Sequence, residues 1–292
     1  MMKAFLAGVL FGAALAVPTG APGKERAPAI VQDYEPDPAI WLLQDDDTRI
    51  YLLGTIHALP DGAEWRTPAL ERAFAESDLL MVEIGDLGNS SAAAEAFDTF
   101  ARSQGLPALS ARVAPADRPA LHALMQRAGM DDADFWDVET WAAALLLANA
   151  VRVSETANGV DRDLLDDGKP VEALETFAGQ FARFDRLTET QQRELLAAVA
   201  RQEEATAEDQ VAAWLTGDVA DLETELEDGL ATQPALRQSL LVERNDLFAA
   251  RVVETIERRR VPFVAVGAGH MLGPDGLPAL LAARGYTVAR VQ

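Results

Sequence analysis

The sequence predicts an α/β fold of the α+β kind, with a mixed central sheet built from N- and C-terminal strands around a large helical middle region. Three observations predict it. Apolar runs of strand type gather at the two ends of the chain: "AIWLLQ", "RIYLLGTI" and "DLLMVEIG" early, "VPFVAVG" and "YTVARV" late. Between them, from about residue 91 onward, apolar residues recur mostly at helical spacing. Nothing in the middle has the composition of a linker between independent domains, so the two ends belong to one folding unit.

Taken in order, the elements begin with a targeting segment. Lys3 precedes the apolar run "AFLAGVLFGAALAV", and "ALA" or "TGA" offers a small-residue cleavage site. The run is about 14 residues, short of the roughly 20 a membrane span needs. Residues 1–21 are therefore expected to be a cleaved signal peptide, leaving a periplasmic protein with no stable membrane span in the mature form. A Pro-rich stretch, 22–38, reads as a flexible leader, and 39–292 as a single domain. "AIWLLQ" and "RIYLLGTI" flank the polar "DDD" and predict a β-hairpin. "DLLMVEIG" is continuously apolar, as a strand covered on both faces must be. "WAAALLLANAVRV" reads as a buried helix, "KPVEAL" as a short strand after a Gly turn, and Thr188 to about Arg260 as further helix. The helix "DGLPALLAARG", ended by Gly, links the last two strands.

Composition excludes some functions. With 25 basic against 47 acidic residues the net charge is −22, so a nucleic-acid backbone or an anionic membrane is repelled. The chain has no cysteine, so neither disulfides nor lipid attached at cysteine contribute outside the cytoplasm.

The chain contains three histidines, and two share a setting. "YLLGTIHALPDG" and "VAVGAGHMLGPDG" are each an apolar strand, then Gly-x-x-His, then a loop closing on Asp-Gly. This puts His57 and His270 at strand carboxyl ends, where α/β sheets bind ligands. The third histidine, His122, lies in "RPALHALMQRAGM" and has no such context; it reads as half-exposed and structural. Glu83 interrupts the apolar "LLMVEIG", where an ionised carboxylate is costly unless paired. His57, Glu83 and His270 together make a two-His-one-carboxylate set suited to a divalent metal ion such as zinc, manganese or cobalt. In "SLLVERNDLFAARVV", Arg244 has Leu240, Leu241, Leu247 and Phe248 three and four residues away. It therefore lies on an inward stripe and needs an anionic partner: Glu83, Asp161 or a substrate charge.

The chain resembles the TraB/GumN family, which includes the TIKI proteins of animals. "YLLGTIH", "LLMVEIG", "NGVDRDLLDDGKPVEALETFAGQ", "LVERND" and "VAVGAGHMLGPDGLPALLAARGYTVARV" carry the resemblance, from Trp41 to Val291. It implies an α/β fold with paired Gly-x-x-His motifs around a helical middle. It also implies a metal-dependent protease that uses His57, Glu83 and His270 on a peptide or protein substrate. Asp161 and Arg244 match further polar positions of the pattern, Asp161 in a supporting role.

The expected chemistry is hydrolysis. A divalent ion would lower the pKa of water toward about 7, and Arg244 would stabilise the oxyanion. No His-Glu-x-x-His helix supplies a separate base. A metal-free version, as in erythromycin-esterase-like relatives, uses His57 as base with Glu83 orienting it. Haem, metal or other ligand binding without turnover, or a non-catalytic interaction role, is the alternative class.

Overall fold

The structure, a computed structural model, describes residues 32–45, 48–152, 158–202, 204–230 and 233–292. The expected signal peptide lies outside the described residues, and so does most of the leader. Residues 32–38 lie against the domain. Gln32 exchanges hydrogen bonds with the backbone of Glu64, and the Asp37 N–H donates to the Leu215 carbonyl at 2.7 Å.

The sheet has six strands: β1 (Ile40–Gln44), β2 (Arg49–Thr55), β3 (Leu79–Ile84), β4 (Val171–Glu175), β5 (Pro262–Gly267) and β6 (Thr287–Arg290). Their spatial order is β4-β3-β5-β2-β1-β6. β1 and β2 form the expected antiparallel hairpin, and β1 also pairs antiparallel with β6. Every other pairing is parallel, so β1 alone runs against the rest. The sheet is mixed and joins the two ends of the chain. "KPVEAL" adds β4 from the middle, at one edge.

Both faces of this sheet are covered, which explains the unbroken apolar runs. Alternate residues serve opposite sides. Leu53, Leu80, Val82, Phe263 and Ala265 pack into the larger core with the helical middle. Leu52, Met81, Val264 and Val266 face a second core with Phe248, Ala249 and Val252.

The larger core takes α1 (Pro68–Glu76), α2 (Ser90–Phe100), α3 (Arg118–Ala128), α4 (Thr140–Val151), α5 (Val160–Asp166), α6 (Phe177–Asp185) and α7 (Glu189–Arg201). α4 is the apolar "TWAAALLLANAV", buried through most of its length, with Trp141 stacked on Phe184. α8 (Glu204–Leu215) and α9 (Val219–Leu230) follow. α10 (Pro234–Arg237) then runs through a π-helical turn (Gln238–Val242) into α11 (Glu243–Glu257), and α12 (Leu277–Ala283) links β5 to β6. α11 and α12 cover the second face.

α11 buries Arg244, Asn245, Phe248, Ala249, Val252, Thr255 and Ile256. Arg244 is inward as its apolar neighbours imply. Leu247 is not part of that face and is 41% exposed. At 100° per residue the buried arc centres between Arg244 and Asn245, which leaves Leu247 outside it.

The parallel β2–β5 pair fixes the carboxyl edge. Thr55 stands opposite Gly267, and Gly54 opposite Val266. A Cβ on Gly54 would lie 2.9 Å from the Cα of Ala268, so the first Gly-x-x-His glycine clears space for the backbone of the second motif. Gly54→Ala is therefore expected to destabilise the fold by about 1–3 kcal/mol through overpacking, read as a lower urea midpoint at unchanged slope. An unchanged midpoint would show that the two motifs are not in close backbone contact.

Candidate functional site

Four neighbouring parallel strands end at one edge, and each supplies part of the site. β2 runs out into His57, β3 carries Glu83 next to its last residue, β5 leads through the 3-10 turn Ala268–Met271 to His270, and β4 ends at Glu175. Glu83, Glu175, Arg244 and His270 are all buried. His57 is slightly more open, with 9% of its side chain exposed against 3% for His270 and Glu83.

Glu83 is at the centre. Its Oε1 accepts the Gly267 N–H at 2.7 Å and its Oε2 accepts a short hydrogen bond from Arg244 Nη2. Arg244 also donates from Nε to Glu175 Oε1 at 2.6 Å and from Nη1 to the Leu240 carbonyl at 3.3 Å. Leu240 belongs to the π-helical turn, where backbone carbonyls depart from the usual i→i+4 pairing. Burial alone would raise the Glu83 pKa. Arg244, with both histidines and the Gly267 N–H, reverses this and holds the carboxyl at about 2. Arg244 loses some basicity to burial and regains more from Glu83 and Glu175, so its pKa is raised.

The two histidines are held differently. His57 Nδ1 lies 2.6 Å from Asp161 Oδ2, and Asp161 Oδ1 accepts the Thr55 hydroxyl at 2.7 Å. Burial opposes charge on this ring, but Asp161 outweighs it and raises the pKa above its ordinary value. His270 Nδ1 instead faces the Oδ1 of Asn245, a neutral partner. Burial, reinforced by Arg244 and only partly offset by Glu83, lowers its pKa to about 3.

The opposite nitrogens converge. His270 Nε2 is 3.7 Å from Glu83 Oε1. His57 Nε2 and Glu83 Oε1 each lie 3.1 Å from the point a Cβ on Gly267 would occupy. The second motif's glycine thus keeps space open between the His57 ring and the Glu83 carboxylate. His57 Nε2 is buried and has no hydrogen-bond partner among the described residues.

His57, Glu83, His270, Arg244 and Asp161 are therefore in one constellation, in roles that partly differ from those expected. Asp161, not Glu83, orients His57. Each nitrogen of Arg244 donates to a protein acceptor, two of them the carboxylates of Glu83 and Glu175. His122 lies apart and is exposed. As a metal site the set fits poorly. Among the described residues no three His, Cys, Asp or Glu side chains stand close enough to hold an ion, and both Glu83 oxygens are occupied.

Thr55, Glu175 and Asn245 were not singled out from the sequence, and Gly267 was read only as the turn glycine of its motif. Glu175 ends the strand "VEALE" as Glu83 closes "LLMVE", and Asn245 shares the inward arc with Arg244. Those were the available signals.

A three-layered α/β protein with an imidazole–carboxylate site on the carboxyl edge of its sheet is the class these features define. The chain belongs to the TraB/PrgY/gumN family, whose model matches residues 39–290. No curated protein and no solved structure matches it.

The pKa of His270 gives a test. A buried base held neutral lets the unfolded chain bind one more proton below its ordinary pKa of 6.5, so stability falls as the pH drops toward about 3. Glu83, lowered from 4.5 to about 2, adds its own loss only below about 4.5. His57, whose pKa is raised, contributes fully below 6.5 and loses its share above. Between pH 6.5 and 4.5 the wild-type chain should lose up to about 1.4 kcal/mol per pH unit more than His270→Gln. Parallel stability curves for the two proteins would refute a neutral, buried His270.

Proposed function

We propose that the chain is a hydrolase in which His57 Nε2 takes a proton from water as that water attacks an acyl carbon of a peptide or protein substrate. The observation that carries this reading is the arrangement of His57. Its Nδ1 is held by a buried carboxylate, and its Nε2 is unpartnered beside the gap that Gly267 leaves next to Glu83 Oε1. A water at this point would meet the His57 lone pair and Glu83 Oε1, both acceptors, and would donate to them. As the oxygen bonds to the acyl carbon, the proton passes to His57 and then to the leaving group. Asp161 favours the imidazolium formed midway, and Arg244 acts indirectly by keeping Glu83 ionised. Export to the periplasm belongs to the same proposal. Among the described residues no helix is long and apolar enough to cross a membrane.

A second reading is favoured by His270 Nε2, 3.7 Å from Glu83 Oε1, with His57 Nε2 beside the same Gly267 gap. In it, zinc, manganese or cobalt would be held by His57, His270 and Glu83 and would supply Lewis acidity. It requires His57, His270 and Glu83 to draw closer together than they stand here.

Digestion of a peptide library, with chelator and with each metal in turn, separates the two. The first reading expects cleavage in chelator, and Asp161→Asn should lower kcat by about two to four orders of magnitude. Since the base must be unprotonated and its pKa is raised, the rate should climb with pH through a midpoint above 6.5. Cleavage only on adding metal would favour the second reading. Full activity in His57→Ala would remove both.

A further inference from the structure

The loops that close each Gly-x-x-His unit on Asp-Gly are not used by either mechanism. The first, at Asp61, accepts a hydrogen bond from Asn158 Nδ2 at 2.7 Å. Asn158 stands just ahead of α5, the helix that carries Asp161. The second, at Asp275, offers its backbone carbonyl to Asn245 Nδ2, also at 2.7 Å. A Cβ on the following Gly276 would lie 2.7 Å from the backbone of Met271 and Leu272, so this loop is folded tightly back on its own motif. Each loop thus braces the element that supplies the Nδ1 partner of its own histidine.

At His270 the bracing determines where the ring proton lies. The Asp275 carbonyl can only accept, so it fixes which end of the Asn245 amide carries the NH₂ group. The other end, Oδ1, faces His270 Nδ1 and can also only accept. The proton of the neutral ring is then on Nδ1, and Nε2 turns a lone pair toward the site. We infer that Asn245, braced by the Asp275 carbonyl, is a positioning residue that fixes the Nδ1–H form of His270 and so presents a second imidazole lone pair beside Glu83. This rests on the hydrolase reading and deepens it by adding a second acceptor beside Glu83 Oε1, but the tautomer itself can be read without any activity.

With three histidines in the chain, long-range ¹H–¹⁵N spectra of the full-length protein at neutral pH can resolve each ring, assigned through His57→Gln and His270→Gln. Wild-type His270 should show the Nδ1–H pattern. In Asn245→Leu, which has no acceptor, the proton should move to Nε2, where Glu83 Oε1 can receive it. Asn245→Asp, whose carboxylate still accepts, should restore the Nδ1–H pattern. In the hydrolysis assay Asn245→Leu should lose at least about tenfold in kcat with KM little changed. An Nε2–H pattern in the wild type would overturn the inference, whatever the variants do. So would an Nδ1–H pattern retained in a folded Asn245→Leu. A correct tautomer in a protein that hydrolyses nothing would end the hydrolase reading and leave this inference standing.

Discussion

Glu83 carries its charge inside the molecule, and the rest of the site is arranged around that fact. Removing an ionised carboxylate from water costs several kcal/mol, recovered only by well-placed partners. Arg244 from α11 and the Gly267 N–H from β5 are those partners. Arg244 is itself a buried charge, and Glu175 at the end of β4 meets it from the other side. The result is a chain of charges crossing the ends of β4, β3 and β5, held at one edge by helix α11. Separating any of these elements would leave a bare charge in an apolar core.

Set against this fixed carboxylate, the two histidines differ because their Nδ1 partners differ. An acid behind His57 makes that ring more basic, and an amide behind His270 leaves it neutral. In the hydrolase reading proposed above, this difference would divide the work of proton transfer between the two rings. His57 is also the more open of the two. Base strength and access therefore point to the same ring. In the proposed mechanism His270 serves as a fixed acceptor, and the Gly267 position, free of a Cβ, keeps the space between His57 and Glu83 clear.

Much of this was legible in the sequence. The strand runs and the Gly-x-x-His units placed the sheet, its hairpin and both histidines, because strand ends and glycine turns are local features. Glu83 and Arg244 could be found because each broke an apolar pattern in which a charge needs a partner. Who those partners are was not local. The pairing of Arg244 with both Glu83 and Glu175 depends on strand order, which joins segments far apart in sequence. The hold of Asp161 on His57 depends on where α5 packs. Leu247 looked inward by spacing alone, yet two successive polar residues, Arg244 and Asn245, turn the buried arc away from it. The Gly-x-x-His glycines were legible as turns. Their actual duties, clearing the Ala268 backbone and the gap between His57 and Glu83, appear only when the two motifs face each other.

The carboxyl edge depends on Glu83 and Arg244 being a coupled, buried ion pair. A double-mutant cycle with Glu83→Gln, Arg244→Met and the double variant, followed by urea unfolding, measures that coupling directly. Each single change should cost about 3–5 kcal/mol, and the double variant should recover at least about 2 kcal/mol of their sum. Additive losses would mean that the two side chains do not stabilise one another, and the carboxyl edge described here would then lack its central interaction.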